Sequence, residues 1–595
     1  MMILQMQAGS THRYTIFSYP GRMQRAPRRL WKAAHMAGKT HDDEVATKAF
    51  DSQLTKRAME FMLPYRQLFL FALVMLVITA ATNVAKPFLF KIAIDDGITQ
   101  GNVTVLTGTA AAYILLYVFR WGIQYMQAVS LAALSQNVTN NIRNSLFRHI
   151  QSLSLDFFNK REIGRIISRL MGDVASLDAL ITSGAIALIT NIFTTIGVAF
   201  VMLKMNWSLT LLTFTLLPVI GFITVVLRAK VRKMHREVRA KAATVTAAVA
   251  ENVSGVRVVK SFARERDTLL KFKRKNRSSS NAVMRSIILS STFSSLIEFA
   301  TIIGLAIVFW YGGMQVARGQ LTIGGFVAFL AYIGLFYTPV TAMGEFYAVL
   351  QAAMAGAERI FEILDTKPDI IDRKNALNLP PLHGKVEFKD VHFGYDETPI
   401  LKGINFTANA GETVAIVGPT GAGKTTIVSL IARQYDVTGG AILTDDIDIR
   451  NVTIKSLRSQ MGVVLQECFL FPGTIRENIR YGRLNATDAE VEAAAKAVGA
   501  HNFIINMQKG YDTQINEGGW ELSTGQKQIL SFTRALLADP RILVLDEATS
   551  SVDTKTEQEV QAALGKLLEG RTAFVVAHRL STITEADKII LMRDG

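Results

Sequence analysis

The stretch Thr413-Val-Ala-Ile-Val-Gly418-Pro-Thr-Gly421-Ala-Gly423-Lys424-Thr425-Thr426 decides how the C-terminal part of the chain folds. A short run of strand-forming apolar residues leads into the spacing G-x-x-x-x-G-K-[ST], and the apolar-rich TTIVSLIARQ follows. That order reads as buried strand, tight loop and helix. Gly418, Gly421 and Gly423 let the backbone wrap tightly and aim its N–H groups at phosphate oxygens, and a helix N-terminus adds partial positive charge there. Lys424 is placed to reach the β- and γ-phosphates of ATP. The Thr425 hydroxyl is placed to bind Mg2+, and Thr426 completes the nucleotide-binding loop. A chance match is the competing reading, and the strand–loop–helix context speaks against it.

Outward from the loop, Ile542-Leu-Val-Leu-Asp546-Glu547 reads as a buried strand ending in two acids. Asp546 is placed to hold Mg2+ through water, and Glu547 to orient the attacking water. The alternative is an acid pair that caps a helix. VEFKDVHFGY (386–395), AGETVAIVGP (410–419) and TAFVVAHR (572–579) read as further strands with helical stretches between them, which makes 386–595 an α/β nucleotide-binding domain. The strand DKIILMRDG ends at Gly595, and a further helix is expected beyond it, so the sequence reads as truncated there, with a minimal domain as the alternative. Residues 365–385 (DTKPDIIDRKNALNLPPLHGK), with three prolines, read as a linker.

The N-terminal half has a different texture. Apolar runs long enough to cross about 30 Å of hydrocarbon fall near 67–90, 107–133, 179–204, 208–228, 287–312 and 323–350. SQLTKRAMEFMLPYR (52–66) reads as an amphipathic helix lying along the inner membrane surface. The connections 91–106, 205–207 and 313–322 are short and poor in Lys and Arg, whereas 134–178 and 229–286 are long and basic. The positive-inside rule puts the long segments and both termini in the cytoplasm. Their helical pattern implies spanning helices that continue past the bilayer, the alternative being separate soluble insertions.

The formal charge of +16, from 65 Lys+Arg against 49 Asp+Glu, could signal nucleic-acid binding. The basic residues sit between apolar spans and no nucleic-acid motif occurs, so membrane topology accounts for them. The one cysteine, Cys468, cannot form an internal disulfide. Residues 1–41 hold no Asp or Glu and carry Arg13, Arg22, Arg25, Arg28 and Arg29, a composition like a transit peptide. Residues 1–51 are better read as a basic flexible extension, with Met36 as an alternative start.

Taken with FGY at Tyr395, VVLQE at Gln466, Leu522-Ser523-Thr524-Gly525-Gln526, Ser550-Ser551-Val552-Asp553 and His578, these motifs stand in one order. The chain resembles an ATP-binding-cassette (ABC) exporter half-transporter from about residue 52 to its end. The resemblance implies a six-helix membrane bundle (52–364) fused to a P-loop ATPase (386–595), in the cytoplasmic membrane with the ATPase inside. It implies that Tyr395 stacks on adenine and that Gln466 senses Mg2+ and γ-phosphate. Ser523 and Gly525 would belong to the signature, Asp553 to the D-loop, and His578 would contact γ-phosphate. Alone, a Tyr or a buried His is more often a packing residue. Phe157-Phe158 through Asp173 and Glu251 through Phe262 resemble the two coupling segments that dock on ATPase domains. Their bare pattern is only that of amphipathic surface helices.

In the family two cassettes sandwich ATP, so a second half-transporter is required. The usual signature is LSGGQ, and Thr524 here replaces its first glycine. With Lys424, Asp546, Glu547, Gln466 and His578 intact, the chain resembles one half of a heterodimeric exporter with one impaired site. The alternative is a homodimer that tolerates threonine. The expected cargo is hydrophobic or amphipathic: drugs, lipids or peptides. Glu298 and Glu345 fall inside spans and are candidates for attracting cationic cargo, with a helix–helix polar contact as the equal alternative. Competing functions are import of iron–siderophore complexes and an ATP-gated channel or regulator.

Overall fold

The computed structural model describes residues 52–396, 398–466, 468–546, 554–577 and 583–595. The chain divides into two compact units, one of Met1–Arg143 with Met171–Ile360 and one of Asn144–Leu170 with Phe361–Gly595.

The first unit is helical. Each expected span is occupied by helix, on Arg66–Ile92, Val103–Ser152, Ala185–Met205, Trp207–Phe214 with Leu216–Ser254, Glu265–Ala317 and Ile323–Asp365. Among the described residues, four helices are long and apolar enough to cross a membrane, within 63–98, 103–152, 188–205 and 265–317, and 323–337 is a shorter apolar helix. At 1.5 Å per residue, Val103–Ser152 runs about 75 Å, far beyond a bilayer, as its polar second half requires. Two boundaries differ from expectation. The 91–106 connection is mostly helical, with a π-turn on Ala93–Ile98, and the fourth span breaks after Phe214, three residues ahead of Pro218. The amphipathic segment is helical over Ser52–Glu60, and Pro64 confines the rest to a 3-10 turn.

Packing in this unit centres on Val198, Met202, Leu209, Phe329, Tyr332 and Tyr337. Several of its polar side chains pair between helices. Asn206 caps Trp207–Phe214 through Leu209 N (3.0 Å) and donates to Gln315 Oε1 (2.6 Å). The Tyr337 hydroxyl donates to Thr213 O (2.8 Å). Asp173 accepts two bonds from Arg359, at 2.8 and 2.5 Å.

The second unit is α/β. Strands β1 (Val386–Tyr395), β2 (Thr398–Ala408), β3 (Thr413–Val417), β4 (Gly439–Thr444), β5 (Ile447–Asp448) and β6 (Met461–Val464) come first. Then follow β7 (Gly473–Thr474), β8 (Gln514–Ile515), β9 (Ile542–Asp546), β10 (Thr572–Val576) and β11 (Lys588–Leu591). A parallel sheet has the order β11-β3-β10-β9-β6, an antiparallel one the order β2-β1-β4-β5, and β7 pairs with β8. Val414, Ala415, Ile416, Leu543, Val544, Phe574 and Val575 are fully buried, because a parallel sheet is covered on both faces. That is why β3, β9 and β10 read as unbroken apolar runs.

The proline-rich segment 365–385 is largely irregular but does not hang free. Leu379 and Leu382 enter the core, Leu377 bridges to Val452, and Asp445 accepts from the backbone N–H groups of His383 and Lys385. Residues 144–170 also belong to this unit rather than to the helical one. Their short helices Leu155–Asn159 and Ile163–Ser168 are held by Phe157, which is buried, and by Arg161 over the Phe157 ring.

Candidate active site

The loop between β3 and the helix Lys424–Ile431 forms as its glycines dictate. Gly418 and Gly423 take φ of +152° and +99°, where L side chains are strained. A Cβ on Gly418 would also lie 2.3 Å from the Met592 carbonyl, and one on Gly423 would lie 2.9 Å from Leu401. Gly421 shares the left-handed conformation, at φ +87°. Gly423 caps the helix, so the first-turn amides of Lys424, Thr425 and Thr426 open toward the loop. Lys424 is buried, and its ammonium donates to the carbonyls of Gly418 (2.7 Å) and Pro419 (3.0 Å). Thr425 is exposed and Thr426 buried.

Two strands away, Asp546 ends β9 beside Val576 of β10. Gln466, just past β6, lines one small cavity with Asp546 and Gln528. The structure thus brings Gln466 and Asp546 together although 80 positions of sequence part them. A hydroxyl, a carboxylate and an amide oxygen form a hard-oxygen donor set of the kind Mg2+ takes, so Thr425, Asp546 and Gln466 fit that ion in chemistry. Glu547, Asp553 and His578 lie outside the described residues.

Tyr395 closes β1. Its ring meets Phe393 at 5.0 Å and Tyr435 at 5.2 Å, both edge-on. Sequence reasoning missed Tyr435, whose hydroxyl accepts from Asn159 at 2.8 Å. Next to it, Lys160 pairs with Asp396 (2.6 Å) and Asp156 (2.9 Å), and the two carboxylates, Asp396 foremost, push the lysine pKa up. Burial pushes the Tyr435 hydroxyl up as well. The aromatic cluster is therefore anchored to the 155–160 segment. The only sequence hint was two aromatics, FGY and RQY, with nothing to say that they meet.

The signature opens the helix Thr524–Leu537. Ser523 caps it through a reciprocal box: its hydroxyl accepts from Gln526 N (3.2 Å), and Gln526 Oε1 accepts from Ser523 N (3.0 Å). The hydroxyl proton of Ser523 stays available to a ligand oxygen. Thr524 is exposed on the first turn and Gly525 is buried behind it. In the membrane helices, Glu298 is exposed on Glu265–Ala317, and Glu345 stands on Ile323–Asp365.

A phosphate loop on a parallel sheet, fused to a bundle of membrane-length helices, defines a membrane protein with a nucleotide-binding engine. The family description "ABC transporter transmembrane region" matches residues 69–340, and "ABC transporter" matches residues 401–550. The chain is 40% identical to the uncharacterized ABC transporter ATP-binding protein YknV of Bacillus subtilis, over 93% of this chain and 92% of that one. It is 39% identical to an ATP-dependent lipid A-core flippase of Syntrophus aciditrophicus, over 91% and 90%. The solved structure of a bacterial Atm1-family ABC exporter with ATP bound superposes with a TM-score of 0.73 at 29% identity, covering 89% of this chain and 94% of that one. The chain belongs to the ABC exporters, as a half-transporter of the type I exporter fold that binds ATP and couples its hydrolysis to transport.

Proposed function

We propose that this half-transporter exports hydrophobic or amphipathic compounds across the cytoplasmic membrane, its ATPase domain in the cytoplasm, as one subunit of a heterodimer. The observation that carries the ATP chemistry is the loop at Gly418–Lys424, whose strained glycines and inward ammonium form a cradle of donors at a helix N-terminus. Lys424 and the amides after Gly423 hold the β- and γ-phosphates, and Tyr395 packs against adenine. Thr425, Asp546 and Gln466 hold Mg2+, which when bound neutralises charge on the phosphate oxygens. Glu547 orients the attacking water and takes its proton, His578 steadies the γ-phosphate, and Asp553 serves the facing cassette.

As the resemblance to the family implies, Ser523 and Gly525 face the nucleotide held by the partner. Support for a dimer comes from the second coupling segment, the helix Val256–Ser261, whose neighbours Val253 and Phe262 are 67% and 73% exposed. A groove lined by Val463, Leu465, Cys468, Phe469, Phe471 and Tyr481, with Ser531 and Arg534 also in its wall, stands on the cassette. We read the segment as docking in the corresponding groove of the partner. Thr524 places a β-branched side chain where LSGGQ carriers have none, which supports an impaired second site and an unlike partner.

Uptake of a fluorescent amphipathic dye into inside-out vesicles tests the reading. Wild type with its partner accumulates dye only with ATP and Mg2+, and Glu547→Gln abolishes uptake while ATP still binds. Undiminished uptake or hydrolysis in the Glu547→Gln protein overturns it.

A further inference from the structure

The signature helix carries a polar residue deep on its buried face. Gln528 lies one turn ahead of Phe532 and is 7% exposed, whereas Thr524 at the helix start is open to solvent. Another buried polar side chain of this helix, Thr533, donates to the Ile529 carbonyl at 2.8 Å. Gln528 Oε1 is buried too, but among the described residues nothing donates to it. An amide oxygen stranded in this way costs free energy, so folded proteins rarely leave one without a reason.

The side chain ends at a small cavity beside the C-terminal ends of β6 and β9, which it shares with Gln466 and Asp546. Among the described residues the rest of the wall is apolar, with Phe532, Leu545, Leu564 and Val575 prominent in it. About 10 Å³ is free for the centre of a water molecule, which is room for one. Gln528 Oε1 and an ionised Asp546 carboxylate both accept hydrogen bonds and neither donates, so they cannot satisfy each other. What fits between two acceptors in so small a space is a molecule with two protons to give. Water has them, and it keeps a lone pair for the NH2 group of Gln466.

We propose that Gln528 is a positioning residue for the Mg2+ site, acting through one water molecule held between its Oε1, the Asp546 carboxylate and Gln466 Nε2. The proposal rests on the reading that Gln466 and Asp546 hold Mg2+, and it deepens that reading by saying what orients the glutamine. With Nε2 engaged by the water, Gln466 Oε1 is the atom left for the cation. Without the water the amide is free to turn over. Outer-shell partners commonly fix metal ligands in this way.

The test uses the full chain in nanodiscs, loaded with the non-hydrolysable analogue AMP-PNP and titrated with Mn2+, the protein-bound ion being read by electron paramagnetic resonance. Gln528→Met keeps the length and packing of the side chain but has no amide oxygen. It is expected to raise the Mn2+ concentration for half-occupancy roughly tenfold, the loss typical of removing an outer-shell partner. Gln528→Glu, which keeps an acceptor oxygen, shows no such loss, and neither does Phe532→Leu, which alters the wall alone. Half-occupancy unchanged in Gln528→Met overturns the proposal. So does an equal loss in Gln528→Glu or Phe532→Leu, which means that packing and not the acceptor sets the affinity. Thermal unfolding without nucleotide gives a second readout. An oxygen with no partner at all would make Gln528→Met more heat-stable than wild type, and that result also overturns the proposal. Gln466→Met separates the two levels of the argument. If it leaves Mn2+ binding unchanged, the metal reading itself fails; if it weakens binding while Gln528→Met does not, the role of Gln528 fails alone.

Discussion

At the scale of single residues, Lys424 does two jobs that a substitution separates. Its ammonium ties the Gly418 and Pro419 carbonyls, and it is the charge proposed to meet phosphate. Lys424→Ala is expected to weaken ATP binding at least tenfold, measured by fluorescent-nucleotide titration, since a hydrogen bond to a charged group is worth about 1.5–3 kcal/mol. Lys424→Arg does not rescue, because a planar fork does not fit a pocket built for a point charge. Residue chemistry was the most legible level of the sequence. Gly418, Gly421 and Gly423 announce their conformations by spacing alone, and all three take positive φ. Tyr435 was illegible, because its partner Asn159 is 276 positions away and no local pattern encodes such a meeting.

At the scale of elements, β3, β9 and β10 were readable because parallel strands buried on both faces are uninterrupted apolar runs, whereas β11 lies at the sheet edge with Ile589 and Leu591 exposed and was readable from the run KIIL alone. The antiparallel sheet was read only in β1. In β2, Pro399 and Gly403 interrupt the alternation, and β4 opens on two glycines, so neither carries a clean strand signal. The coupling helices were legible as amphipathic surface and no more. For the second one, Phe262→Ala is expected to leave ATP hydrolysis within about twofold of wild type while dye accumulation in inside-out vesicles falls several-fold, the signature of a broken transmission. Parallel loss of both activities would place Phe262 in assembly instead. The magnitude follows from removing one large apolar anchor from an interface.

At the scale of the whole molecule, the order of the two halves followed from hydropathy, whereas the way the chain partitions into units did not; of the six spans expected, four are helices long and apolar enough to cross a membrane among the described residues. Hydropathy assigns residues 144–170 to the membrane half by position. Contacts assign them to the cassette, since Phe157 is buried there and Lys160 meets Asp396. Subunit composition belongs to this scale too. Purified alone, the chain is expected to show an ATPase rate at least tenfold below that of the complex with an unlike half-transporter bearing an intact LSGGQ. Vigorous cargo-stimulated hydrolysis by a dimer of this chain alone would refute the heterodimer.

The anchoring of Tyr435 by Asn159 has a consequence for any exchange of parts. Recombination at the proline-rich segment, the obvious crossover point for grafting a foreign engine onto this membrane bundle, would leave Leu155–Asn159 behind and separate it from the tyrosine to which Asn159 donates. A chimera that keeps this hydrogen bond has to carry both stretches across together.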